Sequence, residues 1–110
     1  MSDTQLITIQ TTCGDREALS NIARDLVEMQ LAACVQISGP IESVYVWNGK
    51  QEASQEWLLS AKTSRKLFDQ ASARIQELHP YEVPEIIALP ITAISRGYQS
   101  WMESQLLPNK

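Results

Sequence analysis

The sequence predicts one α+β domain, an antiparallel sheet with two helices on one face and a further helix closing the chain. Three observations carry that reading. At 110 residues, 44% of them hydrophobic, the chain can bury a single core without disulfides or a structural metal. Its apolar residues alternate in some stretches and recur at three and four residues in others, so strands and helices succeed one another. Asn48-Gly49, between two strand-like runs, is the favoured pair for a tight hairpin because both positions tolerate positive φ.

Taken in order, Leu6-Ile7-Thr8-Ile9-Gln10-Thr11 is β-branched and partly alternating, and the Cys13-Gly14-Asp15 turn ends it as the first strand. Asp15 is placed to cap a helix. From Ala18 onward Leu19, Ile22, Ala23, Leu26 and Val27 form its apolar face, with Arg24, Asp25 and Glu28 largely opposite. Residues 32–47 read as one bent strand: Cys34, Val35 and Ile37 precede a Gly39-Pro40 break, and Val44-Tyr45-Val46-Trp47 resumes it. Trp57-Leu58-Leu59-Ser60-Ala61 supplies the returning strand of the hairpin.

Thr63 or Ser64 is expected to cap a second helix with the stripe Leu67, Phe68, Ala71, Ile75 and Leu78, ended by Pro80. A strand follows over residues 85–91, and Pro90, which has no amide hydrogen to donate, places it at a sheet edge. Residues 95–107, with Tyr98, Trp101, Met102 and Leu106 at helical spacing, form the closing helix. This β-α-β-β-α-β order is the split β-α-β pattern of ferredoxin-like folds. With both helices on one face, Tyr45, Trp47 and Trp57 lie on strands that must present something to the other, and a partner subunit is the natural cover.

Composition narrows function. A formal charge of −4, with scattered basic residues, argues against a nucleic-acid surface. No apolar run approaches the ~20 residues that span a bilayer, and the first residues lack the basic and apolar regions of a signal peptide. The cytoplasm is therefore the expected compartment, with no membrane association, and Cys13 and Cys34 are expected to be free thiols. No nucleophile elbow, phosphate-cradling glycine loop or His-containing triad is present, so no enzyme activity is expected.

Four strings, in order along nearly the whole chain, resemble the CutA divalent-cation-tolerance proteins: Leu31-Ala32-Ala33-Cys34-Val35, Val46-Trp47-Asn48-Gly49-Lys50, Lys62-Thr63 and His79-Pro80-Tyr81-Glu82-Val83-Pro84-Glu85-Ile86. The resemblance implies a single domain over residues 1–110, assembled as a compact PII-like homotrimer that buries the bare sheet face. It also implies a binding or signalling protein linked to tolerance of copper and other divalent metals. Members most associated with copper place a cysteine at the end of the first strand and two adjacent histidines before the Pro-Tyr pair. Here Thr11 holds the cysteine's place, and Leu78 precedes the single His79.

Two kinds of site follow. Thiolate and imidazole are preferred copper ligands and carboxylates a weaker oxygen contribution, so Cys13, Cys34, His79, Glu82 and Glu85 are the candidates for copper(II) or another divalent metal. None forms a local metal motif, and the fold or neighbouring subunits must assemble the site. Cys34, entering a strand, reads more readily as a small core hydrophobe than as a ligand. Cys13, beside a helix N-terminus, is expected to be exposed with thiolate favoured. Helix capping as an imidazolium accounts for His79 as well as a ligand role does.

The second kind is a small-ligand cleft between subunits, built from Trp47, Lys62, Tyr81, Glu82, Glu85, Tyr98 and Trp101. Interface packing is the plainer account of these aromatic residues and of Lys62. No organic cofactor is implied.

Overall fold

The computed structural model describes residue 2 and residues 4–108; Met1, Asp3, Asn109 and Lys110 lie outside the described residues. Along the chain come β1 (Leu6–Cys13), α1 (Arg16–Glu28), β2 (Cys34–Trp47), β3 (Lys50–Ser64), a 3-10 turn (Arg65–Leu67), α2 (Phe68–Leu78), β4 (Ile87–Pro90) and α3 (Arg96–Gln105). Among the described residues the strands make one antiparallel sheet in the order β2-β3-β1-β4, so β4 lies at an edge as Pro90 predicts. No helix of the described residues is long and apolar enough to cross a membrane.

The two-residue strand period sorts the sheet into faces. Ile7, Ile9, Thr11 and Cys13 of β1 stand opposite Thr63, Ala61, Leu59 and Trp57 of β3. All but Trp57 are buried, and Ile7, Ile9, Cys13, Leu59 and Ala61 join one cluster with Leu19, Ile22 and Leu26 of α1, Ala71 and Ile75 of α2, and Met102 of α3. Each large aliphatic side chain there contributes roughly 1.5–3 kcal/mol by leaving water. On the other face the paired Thr8, Gln10 and Thr12 with Lys62, Ser60 and Leu58 are only partly covered, and Ile87 and Leu89 are exposed.

Helix ends follow the local chemistry. Asp15 caps α1 as predicted, its Oδ1 accepting from the amides of Glu17 at 3.0 Å and Ala18 at 3.2 Å. At the other end Gln30, with φ of 59°, turns the chain while the amides of Gln30 and Leu31 donate back to the carbonyls of Val27 and Leu26. Arg74 on α2 donates to both oxygens of Asp25 on α1, at 2.9 and 2.7 Å, and so fixes the two helices side by side. At the start of α2 the prediction fails. Thr63 is the buried penultimate residue of β3, and Ser64 precedes the 3-10 turn without making a side-chain cap.

The largest departure is the length of the hairpin. Asn48 and Gly49 adopt φ of 52° and 78° as the turn requires, but β3 begins at Lys50 rather than at Trp57. β1 stops opposite Trp57, so residues 50–56 pair with β2 alone and the hairpin projects as a two-stranded arm. The described residues accordingly span 45 × 25 × 22 Å. At the base of the arm the register shifts between Ser38 and Ile41, where Gly39 has φ of 143°. A Cβ at Gly39 would stand 2.8 Å from Cδ1 of Trp57. Gly39→Ala is expected to cost about 2 kcal/mol, read as a lower urea midpoint at unchanged slope. An unchanged midpoint would show that Trp57 yields freely.

Candidate ligand-binding cleft

α2 ends at His79, and the segment leading to β4 then passes the end of β1, where three hydrogen bonds tie it to β1, to the turn that follows β1 and to β3. Within its own turn the His79 amide donates to the carbonyl of Ile75 at 2.8 Å. Its ring Nε2 meets the carbonyl of Thr12 at 2.8 Å, and its Nδ1 meets the amide of Tyr81 at 3.0 Å. A carbonyl can only accept and an amide N–H can only donate, so Nε2 carries the hydrogen and Nδ1 is bare. Both nitrogens of this buried ring are therefore committed to the backbone, and neither is free for a metal. The same pattern replaces the predicted imidazolium cap with a backbone clamp.

Tyr81, its ring packed edge-on against His79 at 4.7 Å, supplies the other two ties. Its hydroxyl donates to Oε2 of Glu56 at 2.8 Å and accepts from the amide of Gly14 at 2.8 Å. Burial, followed by the hydrogen bond to Glu56, pushes the phenol up to about 12. Thus one hydroxyl joins the loop after α2, the end of β1 and the base of the arm.

Cys13 departs from its predicted state. β1 runs two residues beyond Thr11, and strand alternation then turns Cys13 inward, where it is fully buried. Burial raises its pKa above the usual 9.0, against a smaller lowering by the Asp15 amide, which donates to its Sγ at 3.4 Å. The group is a buried thiol and not an exposed thiolate. Cys34 is half-buried at the start of β2, opposite Lys62, and neither cysteine is in a disulfide.

Between the arm and the loop after α2 opens a cleft of ≈ 670 Å³. Four carboxylates line it: Glu52 and Glu56 from β3, and Glu82 and Glu85 from the loop. Tyr45, Trp47 and Tyr81 form its aromatic wall, and among the described residues no lysine, arginine or histidine lines it. Of the cleft predicted from the sequence, Trp47, Tyr81, Glu82 and Glu85 come together here. Lys62, Tyr98 and Trp101 do not. Within one subunit they form a separate group, with Lys62 Nζ donating to the Tyr98 hydroxyl at 3.4 Å and the rings of Tyr98 and Trp101 5.4 Å apart. Lys62 is six residues along β3 from Glu56, a strand distance of about 20 Å.

Among the described residues, no three of His, Cys, Asp and Glu stand together closely enough to hold a metal ion. The soft-ligand set of Cys13, Cys34 and His79 thus does not assemble within a subunit. Glu52, Glu56 and Tyr45 are among the cleft residues that the sequence reading missed. Counting outward from the Asn48-Gly49 turn finds them, since that register sets Tyr45 opposite Glu52 and Ile41 opposite Glu56.

Residues 7–105, which include every side chain of the cleft, match the family model described as CutA1 divalent ion tolerance protein. The chain belongs to that family. It is 42% identical over 102 residues to the divalent-cation tolerance protein CutA of Thermus thermophilus, covering 93% of this chain and 95% of that one. The chloroplastic CutA of Arabidopsis thaliana is 42% identical over 98 residues, which are 89% of this chain but 54% of the plant protein. Among solved structures, CutA1 from Oryza sativa superposes with a TM-score of 0.92 at 37% identity, covering 98% of this chain and all of that one. The Thermus protein gives 0.89 at 40% identity, over 92% of this chain and 98% of that one. The sheet and helices described above are therefore the CutA1 fold.

Proposed function

We propose that the chain is a non-enzymatic, cytoplasmic homotrimer serving divalent-cation tolerance, and that it takes copper(II) or another divalent cation at the carboxylate-lined cleft, completed by a neighbouring subunit. The observation that carries this reading is that Glu52, Glu56, Glu82 and Glu85 all line one cleft, with no basic residue in its lining among the described residues. The Thermus relative and the family are both named for divalent-cation tolerance, which supports the same role. With Cys13 buried and both His79 nitrogens bonded to the backbone, the ion's contacts are oxygen in kind, and one subunit alone does not supply enough of them.

Titration calorimetry of chelator-treated protein with copper(II), and in parallel with manganese(II), tests this. Binding of defined stoichiometry is expected, weakened about tenfold or more in the Glu82→Gln/Glu85→Gln variant and little changed by Cys13→Ser. Loss of binding in Cys13→Ser with none in the glutamate variant would return the ion to the cysteine and remove it from the cleft.

A further inference from the structure

His79 is the only histidine of the chain, and the loop after α2 hangs from its ring. The ring is buried, with 7% of the residue exposed, and among the described residues each of its nitrogens has one partner. The two partners are opposite in kind. The carbonyl of Thr12 takes the Nε2 hydrogen, whereas the amide of Tyr81 gives its hydrogen to the bare Nδ1, so the clamp exists only while the imidazole is neutral. Imidazole is the one side chain whose ordinary titration falls between about pH 5 and 8.

A proton on Nδ1 leaves the Thr12 bond intact and sets two donors facing each other across the 3.0 Å that now hold the Tyr81 bond. Burial keeps water from supplying a new acceptor, and a buried donor without one is costly. The Tyr81 amide is the part able to leave, because the His79 amide is held by Ile75 within α2 and the ring by Thr12 of β1. Its departure carries the side chain with it. The Tyr81 ring packs edge-on against His79, and its hydroxyl bridges Oε2 of Glu56 and the amide of Gly14, both at 2.8 Å. Loss of one bond at His79 therefore loosens the ties of the loop to the arm and to the end of β1 together.

The other titratable groups around the ring have different states or different partners. On β1, Cys13 follows Thr12, and its raised pKa keeps it a thiol in this range. In the loop, the Tyr81 phenol holds its proton up to about 12, and Glu82 lines the cleft. On α2, Glu77 accepts from Arg74 at 3.2 Å. On β3, Glu56 meets this group through the Tyr81 hydroxyl. At the start of α1, Asp15 is engaged in capping and Arg16 is exposed. Among the described residues none of these side chains bonds to the imidazole.

We propose that His79 is a pH-operated latch: acidification protonates Nδ1, releases Tyr81, and frees from the arm the loop that carries Glu82 and Glu85. The latch makes no demand on what the cleft holds, so it stands apart from the metal reading.

The test is 15N magnetic resonance of the full-length protein from about pH 8 to about pH 5, in which the single histidine gives an unambiguous ring signal. The ring is expected to pass from one protonated nitrogen to two, and the Tyr81 amide resonance to move along the same one-proton curve. Over that change the protection of the Tyr81 and Gly14 amides against hydrogen exchange should fall about tenfold or more, while the amides of Leu19 and Ile22 in α1 keep theirs. In His79→Asn the side-chain oxygen accepts from the amide two residues on but takes up no proton, so this variant should lack the transition. Glu56→Gln should keep it. A Tyr81 amide that stays protected after the ring has gained its second proton would overturn the proposal. So would a ring that stays neutral until the α1 amides exchange as well, or a transition that survives in His79→Asn. A transition lost in Glu56→Gln would overturn it too, by giving the proton to the carboxylate.

Discussion

Replacing Tyr81 by phenylalanine is expected to destabilise the protein by about 3 kcal/mol although no carbon atom is lost. The hydroxyl is simultaneously the one hydrogen-bond donor to the buried carboxylate of Glu56 and the acceptor for the amide of Gly14. Deleting it takes the donor from the largely buried carboxylate of Glu56 and leaves the amide of the exposed Gly14 to water, and a bond lost to a charged group costs more than one lost between neutral groups. Urea unfolding monitored by circular dichroism gives the number. The double variant Tyr81→Phe/Glu56→Gln separates the parts: if the carboxylate dominates, neutralising it restores much of the loss. A Tyr81→Phe change below 1 kcal/mol would mean that water replaces the hydroxyl, and that the clamp between loop and arm is loose.

The same hydroxyl gives stability a distinctive alkaline limb. In the folded protein the phenol titrates at about 12, against 10.0 for an ordinary tyrosine. The folded state thus holds its proton more tightly than the unfolded chain, and the corresponding stabilisation is complete below pH 10. As pH rises from about 10 to about 12 the unfolded chain ionises first, so stability falls across that window. Buried Cys13 acts in the same direction, beginning near its ordinary value of 9.0. In Tyr81→Phe the loss between pH 10 and 12 should shrink while the earlier loss from Cys13 remains.

These two residues also show where sequence reasoning reaches and where it stops. The hairpin was legible because Asn48-Gly49 states its geometry locally, and the helices because Leu19, Ile22 and Leu26, or Ala71 and Ile75, repeat at helical spacing. Cys13 misled because its state depends on two more residues of pairing in β1. Pairing length is set by the partner strand, and strand parity then decides whether a side chain is buried or exposed. Tyr81 and the two loop glutamates were legible as a group from the His79–Glu85 segment, but their partner was not. Glu56 lies 25 residues from Tyr81 in sequence, within a polar stretch, Lys50 to Glu56, that carries no apolar alternation to mark it as strand. Lys62 was assigned to a cleft between subunits from its place on a strand just before the second helix, and within one subunit the strand rise sets it about 20 Å from Glu56.

Val46→Glu is expected to dissociate the assembly while leaving the subunit folded. The arm carries Val44, Tyr45, Val46 and Trp47 with 56, 43, 69 and 59% of their surfaces exposed. Nothing in the subunit compensates for holding a two-stranded ribbon of this kind in water, since an isolated hairpin is marginal by itself. A symmetric assembly in which each arm lies on a neighbour removes that cost three times over in a trimer. Losing about 2 kcal/mol of burial at each arm amounts to about 6 kcal/mol per trimer, on the order of ten-thousandfold in the association constant. Sedimentation velocity should therefore show a trimer for the unaltered protein and a monomer for Val46→Glu, with the helical circular dichroism signal unchanged because α1, α2 and the core lie far from the arm. Lys50→Glu, which changes a charge at the arm's tip without touching its apolar surface, is the matched control and should stay trimeric. A trimer that survives Val46→Glu would shift the burden of assembly to the half-covered sheet face around Ile87 and Leu89, and would leave the arm as a wall of the cleft alone.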